Sequence, residues 1–349
     1  MTAELVVDQR RDVSLRARVL FGAARLALRP LLTYWPLTTW GMRPLVLVDR
    51  AAQLLPAPRE VTFETVDFGG FQAEWARAGE VDPAGAVLYF HGGAFVVCGL
   101  ATHRHAVSRI SAASGLPVLS VGYRHLPVTS LSGSVDDCVA AYRFLLDQGI
   151  DPRHVVFAGD SAGGHLAFAT ALRALAEGLP RPAGIVALSP WLDFDIAAKM
   201  AHPNALRDAY APVARLPQLA ALCAPTGDAT IDPSLSPVNG HLGGLPPVLI
   251  MAAESEMLLP DAELMATRLS AADVPCTLQI WAGQVHAFPV LANLLPESMA
   301  AITEIGAFVR RTTEQALADA ASGRRRSRRA ARRPRSKGQP RPSLGADVA

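Results

Sequence analysis

The chain has 349 residues, of which 50% are hydrophobic and only 18% charged, with a mean hydropathy of +0.22. That length and composition support a large buried core, and they exclude a globally disordered chain or a minimal stapled domain. The net charge of +2 hides an asymmetry: residues 324–349 hold ten Arg/Lys and one Asp, giving that segment +9 and the rest of the chain −7.

The first twelve residues include Glu4, Asp8, Arg10, Arg11 and Asp12 and no apolar leader segment. No uncharged apolar run of about 18 residues follows. A cytoplasmic protein is expected, with peripheral contact to a membrane as the alternative. Residues 12–57 read as amphipathic helix cut into pieces by Pro30, Pro36, Pro44 and Pro56. Arg18, Arg25 and Arg29 share one face; Leu15, Val19, Ala23 and Leu26 line another. The spacing predicts a helix packed by that apolar face on the body of the protein. An acidic membrane surface is the competing occupant.

From residue 61 the pattern changes. VTFETVDF (61–68) and FQAEWARA (71–78) flank Gly69-Gly70 and predict an antiparallel hairpin. Six short apolar runs follow at 86–90, 117–123, 154–159, 184–189, 247–252 and 276–281, as expected of buried parallel strands. Helices are expected near 101–114, 136–149, 162–177, 261–271 and 296–318. This alternation predicts a doubly wound, mostly parallel sheet of eight strands, hairpin included. The long connection 190–246 holds an insertion over the C-terminal edge of the sheet. Residues 321–349 are Arg-rich, almost free of large apolar side chains, and expected to be disordered.

Gly159-Asp160-Ser161-Ala162-Gly163 ends one strand and opens a helix. It matches a nucleophile elbow, in which small neighbours let a serine stand on a tight turn. A serine hydroxyl needs a base. His286 follows the last strand after a short loop and so lies at the same sheet edge. His103, His105, His154, His202 and His241 are expected to be ordinary polar residues. Glu256, in the loop after the seventh strand, is the first choice for the carboxylate that orients His286; Asp261 and Asp193 are rivals, and Glu254 is expected to be structural. His91-Gly92-Gly93-Ala94-Phe95 follows the third strand. Gly92 and Gly93 are expected to donate backbone N–H groups to a developing oxyanion, joined by Ala162, with His91 shaping the loop. The four cysteines, Cys98, Cys138, Cys223 and Cys276, form no CxxC pair, and no metal-ligand spacing or nucleotide-binding glycine loop occurs. No cofactor and no metal are expected.

Together these motifs resemble the hormone-sensitive-lipase-like branch of the α/β-hydrolase esterases over roughly residues 60–310. The resemblance rests also on Tyr123-Arg124-His125-Leu126-Pro127, Ser189-Pro190-Trp191-Leu192-Asp193, Ser236-Pro237 and His286-Ala287-Phe288. It implies a helical cap built from residues 1–60 and an insertion within about 191–235, set on a catalytic domain spanning 61–320. It implies hydrolysis of short- to medium-chain acyl esters through an acyl-serine, with Ser161, Glu256 and His286 as the triad. Acyl transfer, lactone hydrolysis and non-catalytic ligand binding on the same fold are the alternatives. Two positions depart from the family pattern: Ala94 stands where a third glycine is common, and Glu256 where aspartate is usual. The implied partner is a small acyl ester, and the Arg-rich tail offers charge-based contact with an anionic surface, lipid or nucleic acid.

Overall fold

The computed structural model describes residues 5–225 and 235–331. Among the described residues nine strands make one sheet: β1 (Leu5–Arg10), β2 (Val61–Asp67), β3 (Gln72–Ala78), β4 (Ala86–Phe90), β5 (Val118–Gly122), β6 (Val155–Asp160), β7 (Gly184–Leu188), β8 (Val248–Ala253) and β9 (Cys276–Trp281). Their order is β1-β9-β8-β7-β6-β4-β5-β3-β2, and only β2–β3 and β3–β5 pair antiparallel. The hairpin and the six apolar runs fall where their patterns predict. The ninth strand, β1, was not expected, because LVVDQR is half polar. It is an edge strand, pairing with β9 alone from Leu5↔Cys276 to Arg10↔Trp281, so it needs no continuous apolar run.

The N-terminal helices are α1 (Leu15–Ala23), a π-helical turn at Ala24–Leu28, α2 (Arg29–Tyr34), α3 (Thr39–Met42) and α4 (Val46–Ala52). Then come α5 (Leu100–Ser114), α6 (Leu131–Asp147) and α7 (Ala162–Ala176). Three short helices, α8 (Ala197–Ala201), α9 (Asn204–Arg207) and α10 (Leu216–Cys223), belong to the insertion, followed by α11 (Leu259–Ala271) and α12 (Pro296–Ala331). Strand side chains alternate between two cores. Leu88, Phe90, Leu119, Phe157 and Ile250 face α6, α7 and α11. Val87, Tyr89, Val118, Val156 and Leu249 face α5 and α12. Both faces are covered, which is why these strands read as apolar runs rather than alternating ones.

Two expectations are corrected here. The tail was expected to lose structure from residue 321, yet α12 continues to Ala331. Alanine and arginine are good helix formers, which suits this continuation of the helix. The remaining tail, 332–349, lies outside the described residues. The apolar stripe of α1 was expected to pack inward; instead Leu15, Val19 and Leu26 are 76%, 64% and 82% exposed, while Ala17 and Ala24 are buried. The helix docks through its small residues, which permit close approach. Arg25 and Arg29 hold it further, donating to the carbonyls of Ala205, Leu206, Arg207 and Asp208 in the insertion. The Nη2 of Arg215 donates to Trp35 O at 2.7 Å, tying the N-terminal helices to the insertion again.

The chain leaves β4 toward β5 on one side, while β6 lies on its other side. Loops after β4 and β6 therefore diverge at this point and leave a crevice at the C-terminal strand ends. The glycine loop and the serine occupy it.

Candidate active site

Ser161 sits between β6 and α7 with φ +54° and ψ −115°, a conformation that is strained for any residue with a side chain. Close packing enforces the turn. A Cβ on Gly163 would lie 1.8 Å from the carbonyl oxygen of Phe90, and one on Gly159 would lie 2.3 Å from that of Gly163. Both glycines of the motif are thus steric requirements of a helix passing close over β4.

The three residues expected as a triad converge. His286 Nε2 is 2.9 Å from Ser161 Oγ, and His286 Nδ1 is 2.9 Å from Glu256 Oε2. Glu256 is 1% exposed. Burial pulls the His286 pKa down, but the hydrogen bond and charge of Glu256 outweigh it and hold the imidazole above its ordinary value. Burial likewise pushes the Glu256 carboxyl up, opposed by the same contact with His286. The acid loop is pinned from the insertion: Asn204 Nδ2 donates to the carbonyls of Glu254 and Glu256, and Met257 N donates to Asp208.

The rival carboxylates are engaged elsewhere. Asp261 accepts the N–H groups of Leu192 and Asp193 and the ammonium of buried Lys199 at 2.7 Å. Burial pushes its pKa up to about 6, against the opposing pull of Lys199. Asp193 accepts the N–H of Asp195, and Glu254 is exposed.

The glycine loop brings one correction. Gly92 was expected to donate to the oxyanion, but its N–H is already committed to Asp160 Oδ1 at 3.0 Å. The approach is tight: a Cβ on Gly92 would lie 2.2 Å from Asp160 Oδ2. The backbone N–H groups of Gly93, Ala94 and Ala162 have no partner among the described residues. Ala94 takes φ +51°, so the missing third glycine leaves an alanine in left-handed backbone. His91 is buried, stacks on Tyr123 at 4.4 Å, and has its pKa lowered by burial and by His125 and His103, as befits a neutral loop-shaping residue.

Sequence reasoning missed a second buried cluster. Asp160 also accepts the Tyr89 hydroxyl at 2.7 Å and lies 3.3 and 3.4 Å from His103 Nε2. His103 is therefore not the polar surface residue expected of it. Burial would lower its pKa, but Asp160 raises it overall. The signal was present in the helical spacing, since His103 lies on the face of α5 that carries buried Ala106, Val107 and Ile110. Tyr210, in the insertion, donates its hydroxyl to the His286 carbonyl at 2.9 Å. Ser189, at φ +48°, accepts the N–H of Ala287 and lies against Glu256. No sequence pattern announces either contact.

A doubly wound sheet with a serine elbow, a histidine and a buried acid at one edge defines an α/β hydrolase. The family profile described as alpha/beta hydrolase fold matches residues 87–290. The chain is 40% identical over 301 residues to Esterase LipU of Mycobacterium tuberculosis, covering 82% of this chain and 100% of that protein. It is 37% identical to the Carboxylesterase/phospholipase LipF of the same organism, over 86% of this chain and 83% of that one. A crystal structure of an esterase from the bacterial hormone-sensitive lipase family superposes with a TM-score of 0.77 at 33% identity, covering 86% of this chain and 99% of that one. EstE5, solved after soaking with p-nitrophenyl butyrate, gives a TM-score of 0.77 at 34% identity, over 86% and 100% of the two chains. The chain belongs to the hormone-sensitive-lipase family of α/β-hydrolase esterases.

Proposed function

We propose that the chain is a serine carboxylic ester hydrolase with Ser161 as nucleophile, His286 as base and Glu256 as its orienting acid. The observation that carries this reading is the unbroken contact from Ser161 Oγ through His286 to Glu256, 2.9 Å at each step. Ser161 Oγ attacks the ester carbonyl carbon and its proton passes to His286 Nε2. The oxyanion accepts N–H groups from Gly93 and Ala162, with Ala94 taking the place expected of Gly92. Collapse breaks the bond to the leaving alkoxide, which takes the proton from His286 and departs as the alcohol. Water then attacks the acyl-serine, giving its proton to His286, and the acid leaves as Ser161 recovers its hydrogen.

The preferred substrates are small esters of short- to medium-chain acids, a reading supported by the ester soaked into the related EstE5. Rates across p-nitrophenyl esters from acetate to palmitate, for wild type and Ser161→Ala, test both parts. Hydrolysis is expected to fall at least ~10⁴-fold in the variant. Retained activity would remove Ser161 from the mechanism, and a maximum at palmitate would remove the chain-length assignment.

The proposed location is the cytoplasm. Its support is that Cys98, Cys138, Cys223 and Cys276 are all free thiols, as suits a reducing compartment. Among the described residues no helix is long and apolar enough to cross a membrane. The Arg-rich segment from residue 324 is proposed to add salt-sensitive contact with anionic surfaces, to be lost when residues 322–349 are removed.

A further inference from the structure

We infer that the outer face of the N-terminal cap is a docking surface for an anionic phospholipid bilayer. Among the described residues, 18 large hydrophobic side chains are exposed, and 12 of them fall between Leu15 and Leu55. A scatter of single exposed leucines is ordinary on a soluble protein; this concentration in about one-eighth of the chain is not. Leu15, Val19 and Leu26 follow one another at helical spacing along α1 and the π-helical turn that continues it, on the side opposite buried Ala17 and Ala24. Trp40, 78% exposed, stands further along the same cap segment.

Charge selects the occupant. Between Asp12 and Asp49 the chain has five arginines and no acidic residue. Arg16 and Arg18 are exposed and emerge on either side of the apolar stripe, where long cationic side chains can reach a headgroup layer while the leucines enter beneath it. Among the described residues, Arg25 and Arg29 donate to carbonyls and pair with no carboxylate. A second copy of the chain would set this positive face against its like.

The surface is joined to the chemistry. Arg29 Nη1 donates to Asp208 O at 2.9 Å, and Asp208 in turn accepts the N–H of Met257, next to Glu256. Docking would hold the cap and the adjoining crevice at the lipid–water boundary, where apolar esters concentrate.

The test is co-sedimentation of the full chain with vesicles of phosphatidylcholine alone or with about 30% phosphatidylglycerol. Wild type is expected to partition onto the anionic vesicles, and the triple variant Leu15→Ser, Val19→Ser, Leu26→Ser to lose at least about tenfold of that partitioning. The variant keeps the Arg-rich tail, so the difference reads the apolar face alone. Its hydrolysis of soluble p-nitrophenyl acetate should stay at the wild-type rate. A blue shift of wild-type tryptophan emission on adding anionic vesicles, lost in Trp40→Phe, is an independent readout should the triple variant fold poorly. Equal partitioning of wild type and triple variant, equal binding to neutral vesicles, or no emission shift would each overturn the proposal. So would a wild-type dimer in light scattering that becomes monomeric in the triple variant, since the face would then belong to a second copy.

Discussion

Replacing Asp160 by asparagine keeps the shape of the side chain and removes its charge. In the folded chain this carboxylate accepts Tyr89 Oη at 2.7 Å and Gly92 N at 3.0 Å, and it pairs with His103 at 3.3 Å. Asp160 and His103 are 4% and 3% exposed, so solvent screens little of the interaction. Removing one partner of a buried ion pair costs about 3–5 kcal/mol when the surviving charge stays in place. His103 can instead release its proton, which leaves the loss of charge-assisted hydrogen bonds, about 1.5–3 kcal/mol each, as the main term. A destabilisation of about 3 kcal/mol is therefore expected.

The pH dependence has a definite sign. Burial would raise the Asp160 pKa, but His103 holds it below its ordinary value, so its contribution is present above the unfolded carboxylate pKa and lost as pH falls through the folded one. His103 is raised above 6.5, so its contribution is complete below that pH and lost as pH rises through the folded value. The deficit of Asp160→Asn should be largest near about pH 5.5 and smaller at about pH 9. Denaturant unfolding of both proteins at the two pH values measures it. The same variant should lower kcat/KM on p-nitrophenyl acetate by about 10–100-fold, because the glycine loop loses its charged anchor. A deficit below about 1 kcal/mol, or one equal at both pH values, would refute the pairing argument.

Other consequences follow from the same geometry. The acid limb of kcat/KM should have its midpoint above 6.5, since a raised His286 pKa means the base is protonated, and activity lost, at a higher pH than for a free imidazole; Glu256→Gln should move that limb to lower pH in a rate–pH profile. Glu256→Asp withdraws the carboxylate by about 1.5 Å from a loop set back for glutamate, and a fall in kcat/KM of about 10–100-fold with little change in KM is expected in steady-state kinetics. Gly163→Ala places a methyl 1.8 Å from the Phe90 carbonyl oxygen, so the protein should be recovered inactive or unfolded by circular dichroism. Lys199→Met strands Asp261 in the core without its cation, and a loss of about 3–5 kcal/mol in denaturant unfolding should follow.

The sheet was legible because the interior parallel strands are covered on both faces and so appear as short apolar runs between turn residues. The elbow and His286 were legible because their chemistry is local: a fixed pattern at one strand end and a histidine after another. Contacts closed by the fold left no such trace. The Asp160–His103 pair joins residues 57 positions apart, and Tyr210 reaches a histidine 76 positions away. The role of Gly92 was misjudged because a glycine loop shows that N–H groups are accessible, not which acceptor they meet. Edge strand β1 and the orientation of α1 were hidden for a related reason: a one-sided, half-polar element carries too little pattern to say which side is covered.

The pairing of β1 with β9 bears on how the gene can be handled. Arg10 O accepts the N–H of Ala282, the first residue of the loop that leads to His286, and Ser14 grips Glu297 at the start of α12 through both its N–H and its hydroxyl. The N-terminal strand and the residues after it are thus also a splint along the histidine loop. Trimming the chain to begin at the hairpin, as its α/β core alone would invite, leaves β9 paired with β8 alone and bares a strand edge open to intermolecular pairing. Expression vectors that preserve residues 5–14 should yield dispersed, active enzyme, and shorter ones should yield aggregate.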